Sequence, residues 1–416
     1  MTTRIEHSPG IGKLRNDALV DSGIGGRIAA ARKLAGLTQH ALARRISYST
    51  SMLSKVERGE EIPAPEFLGR VADSLGVRVE RLAWNRFEWR REDDELAARL
   101  SPVRAALDLL DLPPDSAVAP RPLAVLQADV RYLNRLAQAA LYEPMIALLP
   151  SLVAELHIAA ESCVRQDRHD AWALLALTTR CGHSAGIAVG DNTLSVNALG
   201  KMDWAARQAG DRAPGLRAAR EYLRVTAYLR DEDYAACWRL NNAGTALLDG
   251  AEDAPGALVA RGQLHLGASV ISARTRDRDA MTGHLEEAAR IAALTGEEPE
   301  TFWFGFGPAN VQVHRVVTFG ALGEHSLAVE AGRGLRIPTG WLPTRIGHHH
   351  LDMARSYRWL NQPEKALKQL QRARMVAPGQ ARRHPMTRET VSALVRSARR
   401  QSETLTSYAA WLGLKL

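Results

Sequence analysis

Four residues between positions 50 and 55, Thr50, Ser51, Ser54 and Lys55, set three small hydroxyls and one ammonium around Leu53. With Leu53 and Val56 turned inward on a helix, those four face outward. Such a face suits hydrogen bonding to base edges and charge contact with phosphates. It holds no nucleophile–base pair. No H-E-x-x-H, G-x-S-x-G or P-loop occurs elsewhere, and the stretch from Gly186 to Gly190 lacks the lysine of a phosphate cradle. His348-His349-His350 is a poor metal site, because successive helical residues point about 100° apart; one buried ring on an exposed face is the expectation. No catalytic residue, metal or cofactor is expected.

The elements that must position this face are short. Ile24, Ile28, Ala31 and Leu34 have the spacing of one helical face, and Gly36 stops that helix. Thr38 caps the next helix, which buries Leu42 and Ile46. Ser47-Tyr48 turn the chain, and Ser49 caps the third helix, which Gly59 ends. Pro65 opens a fourth helix carrying Phe67, Leu68, Val71 and Leu75, and Val77, Val79 and Leu82 belong to a fifth.

Arg32, Gly36-Leu37-Thr38-Gln39, Leu42-Ala43, Leu53 to Gly59, Pro63 and Leu75-Gly76-Val77 together resemble the DNA-binding domain of Cro/C1-type, xenobiotic-response-element regulators. The resemblance spans about 60 residues and implies a lambda-repressor-like helix-turn-helix. It implies that Gln39 and Arg58 hold phosphates, with Thr38 and Ser49 at the helix starts beside the DNA. Thr50, Ser51, Ser54 and Lys55 would face the groove, and Arg32 and Glu57 would form an internal ion pair. Two departures stand out. Ser47 replaces a favoured glycine, so its turn is expected to be strained, and Ala41 replaces a glutamate, losing a capping box.

Composition agrees. Between Ile24 and Arg91 there are 13 Lys/Arg against 7 Asp/Glu, so most of the net charge of +8 sits on this small segment. A polyanion is attracted there through counterion release. No run of about 18 apolar residues occurs, so no membrane span is expected. The N-terminus lacks a secretory apolar core, and Cys163, Cys181 and Cys237 lie far apart, which fits a reduced cytoplasm, beside the nucleoid.

Residues 1–23 read as a flexible arm, 24–87 as the DNA-binding domain, and 88–122 as a helical connector closed by four prolines. From 123 to 416 nearly every segment reads as helix, so the whole chain is expected to be all-α. Within Leu351–Pro378, Tyr357, Ala366, Ala373 and Pro378 hold the spacing of a tetratricopeptide repeat; Phe319 and Ala328 stand 38 residues before their counterparts. Tyr228 to Ala235 looks like another inter-helix turn. The units between 123 and 300 are degenerate.

The chain thus resembles regulators, common in actinobacteria, that join a helix-turn-helix head to a tetratricopeptide-like solenoid. Such proteins are often homodimers on inverted-repeat DNA, and some relatives bind peptides on the concave face. For a peptide or small-molecule ligand, Asn197, Asn241, Asn242 and Asn310 offer paired donor and acceptor, and His314 and Arg315 suit an anionic group. The Phe302–Phe306 cluster lines a pocket or packs between repeats. The leading reading is a sequence-specific regulator whose solenoid dimerises and senses a signal. The alternative is an interaction scaffold with a weak or non-specific DNA-tethering head.

Overall fold

The computed structural model describes residues 24–58, 60–61, 63–75, 82, 98–110, 112, 119–397 and 402–414. The chain divides into two compact units, Met1–Asp94 and Glu95–Leu416. The arm at 1–23, Gly59, nearly all of the fifth helix and the first ten residues of the 88–122 connector lie outside the described residues.

In the head, α1 (Ile24–Leu34), α2 (Gln39–Arg45), α3 (Thr50–Glu57) and α4 (Pro65–Leu75) enclose one apolar core. Ile28, Leu42, Leu53, Val56, Phe67 and Val71 are fully buried in it. The apolar positions foreseen from spacing that are described on α2, α3 and α4 therefore face inward, as does Ile28 of α1. Gly36 takes φ 68° after α1, and the Leu37 amide reaches back to the Arg32 carbonyl at 3.1 Å. Ser47 does the same after α2, with φ 59° and the Tyr48 amide 3.0 Å from the Ala43 carbonyl. A side chain in that left-handed region costs about 1–2 kcal/mol, which is the strain the missing glycine foretold.

The body is built from antiparallel helix pairs. The first is α6 (Leu123–Gln138) with α7 (Tyr142–Ser162), preceded by the short α5 (Ser101–Asp108). Then come α8 (Arg165–Val189) with α9 (Asn192–Ala206), α10 (Ala213–Tyr228) with α11 (Tyr234–Ala246), and α12 (Ala257–Arg274) with α13 (Arg278–Thr295). Two more follow, α14 (Pro308–Leu322) with α15 (His325–Arg333) and α16 (Pro343–Trp359) with α17 (Pro363–Val376). Three short helices end the chain, α18 (Pro378–Arg383), α19 (Pro385–Ser397) and α20 (Glu403–Trp411). The fold is all-α, a helix-turn-helix head followed by a tetratricopeptide-like helical solenoid.

Every pair turns in the same way. Ala140, Gly190, Glu232, Arg276, Gly323 and Asn361 all adopt positive φ, between 54° and 84°, two residues before the next helix. In each turn the following amide bonds a carbonyl five residues back, as Leu141 does to Leu136 at 2.9 Å and Gln362 to Tyr357 at 2.9 Å. This is the Schellman closure of a helix. Asp191, Asp233 and Asp277 then cap the incoming helix through their carboxylates.

Small residues bring the pairs together. Ala328, Ala366 and Ala373 are fully buried and Tyr357 fills the gap beside them, as the repeat spacing requires. The last repeats also meet the first. Thr344 donates to Gln138 Oε1 at 2.6 Å, and a Cβ on Gly379 would stand 2.3 Å from the Ala140 carbonyl oxygen. The solenoid is therefore closed across its ends rather than open.

Two expectations need correcting. The stretch 88–122 is not connector throughout, because Leu100, Val103, Leu107 and Leu110 are buried in the core of the body with α7 and α8. Of the three consecutive histidines, His349 and His350 are both buried and His348 is half-buried. One helix, Tyr142–Ser162, is long and apolar enough to cross a membrane by length and composition, yet half of its most apolar stretch is buried within the protein. Met145, Leu149, Leu152 and Leu156 spend that apolarity in the core.

Candidate nucleic-acid interface

Both helices of the helix-turn-helix start on side-chain caps. Thr38 Oγ1 accepts from the Ala41 amide and Ser49 Oγ from the Met52 amide, each at 3.1 Å. With alanine at position 41, only one half of a capping box forms around Thr38. Tyr48 locks the turn by packing edge-on against Phe67, ring centroids 4.8 Å apart. These contacts fix where α3 leaves the turn and which face it shows.

The ion pair foreseen from the resemblance forms. Arg32 donates to Glu57 through Nε at 2.7 Å and Nη2 at 2.9 Å, a forked geometry, and through Nη1 to the Leu37 carbonyl at 2.7 Å. Their side chains are only 9% and 5% exposed. The hydrogen bond to the Glu57 carboxylate holds the Arg32 guanidinium above its ordinary pKa. It ties α1 to the last turn of α3.

Gln39 joins that cluster, its Nε2 donating to Glu57 Oε2 at 2.7 Å. Arg58 is likewise engaged, forked onto Glu60 at 2.7 and 2.9 Å while also donating to Ser54 Oγ. Both residues assigned to phosphates thus have protein partners when no DNA is bound. Of the groove-facing set, Ser51 and Lys55 are exposed, as are the caps Thr38 and Ser49. Thr50 and Ser54 are half-buried, and Thr50 Oγ1 lies 3.4 Å from His40 Nδ1. His40 of α2 adjoins this face, and Arg44 and Arg45 are exposed in the last turn of the same helix. Sequence reading passed over them, although two arginines in the last turn of a recognition-motif helix were a visible signal.

The six ligand candidates of the body do not converge. Asn197 is half-buried on α9 and donates to Asp108 at 2.6 Å. Asn241 is buried and Asn242 exposed on α11. Asn310, His314 and Arg315 share α14. Asn310 is fully buried, donating to Gln263 Oε1 at 3.1 Å, and His314 Nδ1 donates to the Asn310 carbonyl at 2.8 Å. Burial pushes the His314 pKa down to about 3, so it carries no charge for an anion. Arg315 is half-buried.

The aromatic cluster packs between repeats. Phe304 stands edge-on to Tyr222 at 5.0 Å, and Phe306 fills the space beside Gly262, where a Cβ would come within 2.1 Å of its ring. Phe302 and Trp303 hold positive φ, 51° and 57°. That strained backbone is held by polar groups from distant helices, since Gln138 and Arg180 donate to the Trp303 carbonyl and Arg345 to the Phe304 carbonyl.

A capped, tightly turned helix pair that presents hydroxyls and a lysine from a basic head defines a DNA-binding protein. The comparisons narrow the class. Residues 28–82 match the helix-turn-helix family. The chain is also 39% identical over 59 residues to an uncharacterised HTH-type transcriptional regulator, YazB of Bacillus subtilis (strain 168), covering 86% of that protein and 14% of this one. The chain belongs to the HTH-type transcriptional regulators. Among solved structures it is matched to Bacillus thuringiensis PlcR in complex with the peptide PapR7 and DNA, at 14% identity and a TM-score of 0.28 over 66% of this chain and 95% of that one. A likeness at that level transfers neither ligand nor mechanism.

Proposed function

We propose that the protein is a sequence-specific regulator that binds an inverted repeat as a homodimer and whose solenoid senses a small ligand. The observation that carries the DNA part is the placement of exposed Ser51 and Lys55 on α3, while its opposite side is anchored through Leu53, Val56 and Glu57. A recognition helix needs that combination of a bare outer face and a fixed axis. Lys55 and Ser51 read base edges, and Thr38, Gln39, Ser49 and Arg58 hold the backbone on either side. To do so, Arg58 exchanges Glu60 for a phosphate. Thr50 and Ser54 complete the face. Two heads on a two-fold axis read half-sites one helical turn apart. Ligand binding acts through its differential affinity for head arrangements that fit or miss that spacing.

Footprinting on the region upstream of the protein's own gene tests this reading. Two protected half-sites about 10 bp apart, centre to centre, are expected. A single asymmetric half-site would remove the dimer. Protection indifferent to sequence would favour a scaffold with a DNA tether.

A further inference from the structure

Inside the body, a cavity of about 260 Å³ opens among the C-terminal ends of α10, α12 and α14 and side chains of α16 and α19. Arg230, Arg274 and Arg355 all line it, together with Glu232, Asp352 and His348. Among the described residues none of the three arginines has a carboxylate within 4 Å or a hydrogen-bond acceptor for its side chain, and Arg355 Nε is buried with no acceptor. Arg230 and Arg274 stand exposed at the rim, and Arg355 lies deeper.

Asp352 sits at the inner end. Its side chain is 9% exposed, its only ion-pair contact among the described residues is a long one of 3.8 Å to His348 Nε2, and its Oδ2 is buried with no hydrogen-bond donor among them. Burial holds His348 neutral by pushing its pKa down to about 4, so that contact supplies no full charge near neutrality. Burial pushes the Asp352 carboxyl up to about 7, against the pull of Arg355 and Arg274. Arg345 also faces His348 from the same helix. His384, next to α19, packs edge-on against His348 at 4.9 Å and is likewise neutral.

Two needs are thus unmet in one small space. Three guanidiniums facing one space, one of them with a buried Nε that has no acceptor, offer an anion charge-assisted bonds. The buried carboxylate oxygen lacks a donor, and an unsatisfied buried acceptor costs free energy. The volume lies just below that of drug-sized pockets, so a metabolite-sized molecule fits and a long chain does not.

We propose that this cavity binds a small organic anion, its carboxylate or phosphate held by Arg230, Arg274 and Arg355 and its ammonium or hydroxyl group donating to Asp352. The inference deepens the sensing part of the proposed function, and so rests on that reading for its consequence but not for the binding itself. The cavity joins three successive inner helices, α12, α14 and α16, to α10 and α19. A ligand there contacts all of these repeats at once and so couples them.

Isothermal titration calorimetry on the full chain at pH 7.5 tests it, with O-phosphoserine, aspartate, inorganic phosphate and ethanolamine as probes. O-phosphoserine or aspartate is expected to bind saturably with one site per chain, and which of the two binds more tightly separates phosphate from carboxylate chemistry. Inorganic phosphate should bind more weakly than O-phosphoserine, and ethanolamine should give no heat. Arg274→Ala, at the exposed rim, should weaken binding about tenfold or more, with unchanged circular dichroism. Asp352→Asn should erase the advantage of O-phosphoserine over phosphate. Absence of saturable heat from all three anions, or wild-type affinity in Arg274→Ala, would overturn the site. DNA affinity is measured in the same samples. A chain that binds its DNA but no anion loses only this inference, and one that binds the anion but no specific DNA loses only the regulator reading.

Discussion

Replacing Glu57 with alanine removes the acceptor of three hydrogen bonds, two from Arg32 and one from Gln39. It leaves a guanidinium whose side chain is 9% exposed without a counter-charge. Breaking a buried pair from one side costs about 3–5 kcal/mol, and Arg32 keeps the Leu37 carbonyl, which places this case near 3 kcal/mol. Only the head is affected. Amide hydrogen exchange on the intact chain reads the two units separately. Amides of α1 and α3 should exchange about a hundredfold faster, since each 1.4 kcal/mol is a factor of ten, while body amides stay unchanged. The double variant Arg32→Met/Glu57→Leu should recover most of the loss, because no charge is left buried. Acceleration below about tenfold in Glu57→Ala would refute the claim that this pair fixes α3.

Other outcomes follow from the same contacts. A Cβ on Gly25 would stand 1.9 Å from the Val56 carbonyl oxygen, so Gly25→Ala must prise α1 from α3, lowering head stability by about 1–3 kcal/mol or more in the same exchange assay. Ser47→Gly relieves the strained turn and should slow exchange in α2 and α3, a gain of roughly 1 kcal/mol. Glu60→Gln spares Arg58 the exchange of its carboxylate partner for a phosphate, so affinity for DNA in a salt titration should rise while the number of phosphate contacts stays the same. Burial holds His183, His314, His349 and His384 at about 3 and His348 at about 4, below the usual 6.5. The unfolded chain therefore takes up more protons below pH 6.5, so body stability is full above that pH and falls as pH drops toward 3–4. Circular dichroism melts between pH 7.5 and 4.5 check this; a flat melting temperature would contradict it.

How legible each part was depended on where its signal lay. The head was readable because its caps, stops and apolar stripes are local, and Thr38, Ser49, Gly36 and Leu53 each imply their own geometry. What local reading missed there was the partnering of Gln39 by Glu57 and of Arg58 by Glu60, since a side chain's contacts depend on how helices dock. In the body the helices were plain but the repeats were not. All six turns share one left-handed geometry, yet glycine marks only Gly190 and Gly323; Ala140, Glu232, Arg276 and Asn361 adopt it with a side chain in place. Packing across the pairs supports those conformations, so composition does not announce them. Asn310 and His314 looked like ligand groups because an asparagine offers both donor and acceptor and a histidine suits an anion. Here both are buried and partnered: Asn310 donates to Gln263 on α12, and His314 donates to the Asn310 carbonyl one turn back on the same helix. The arginine-lined cavity was invisible for the converse reason, its residues being scattered from Arg230 to Met386.

The central claim is that the outer face of α3 reads sequence. Its most direct test is selection of genomic DNA fragments by the intact protein at physiological salt, sequencing what is retained, with the Ser51→Ala/Lys55→Ala variant in parallel. The account predicts one palindromic motif from the natural protein and its loss, or relaxation at defined positions, in the variant. Retention of the same motif by both proteins, or of no motif by either, would contradict it.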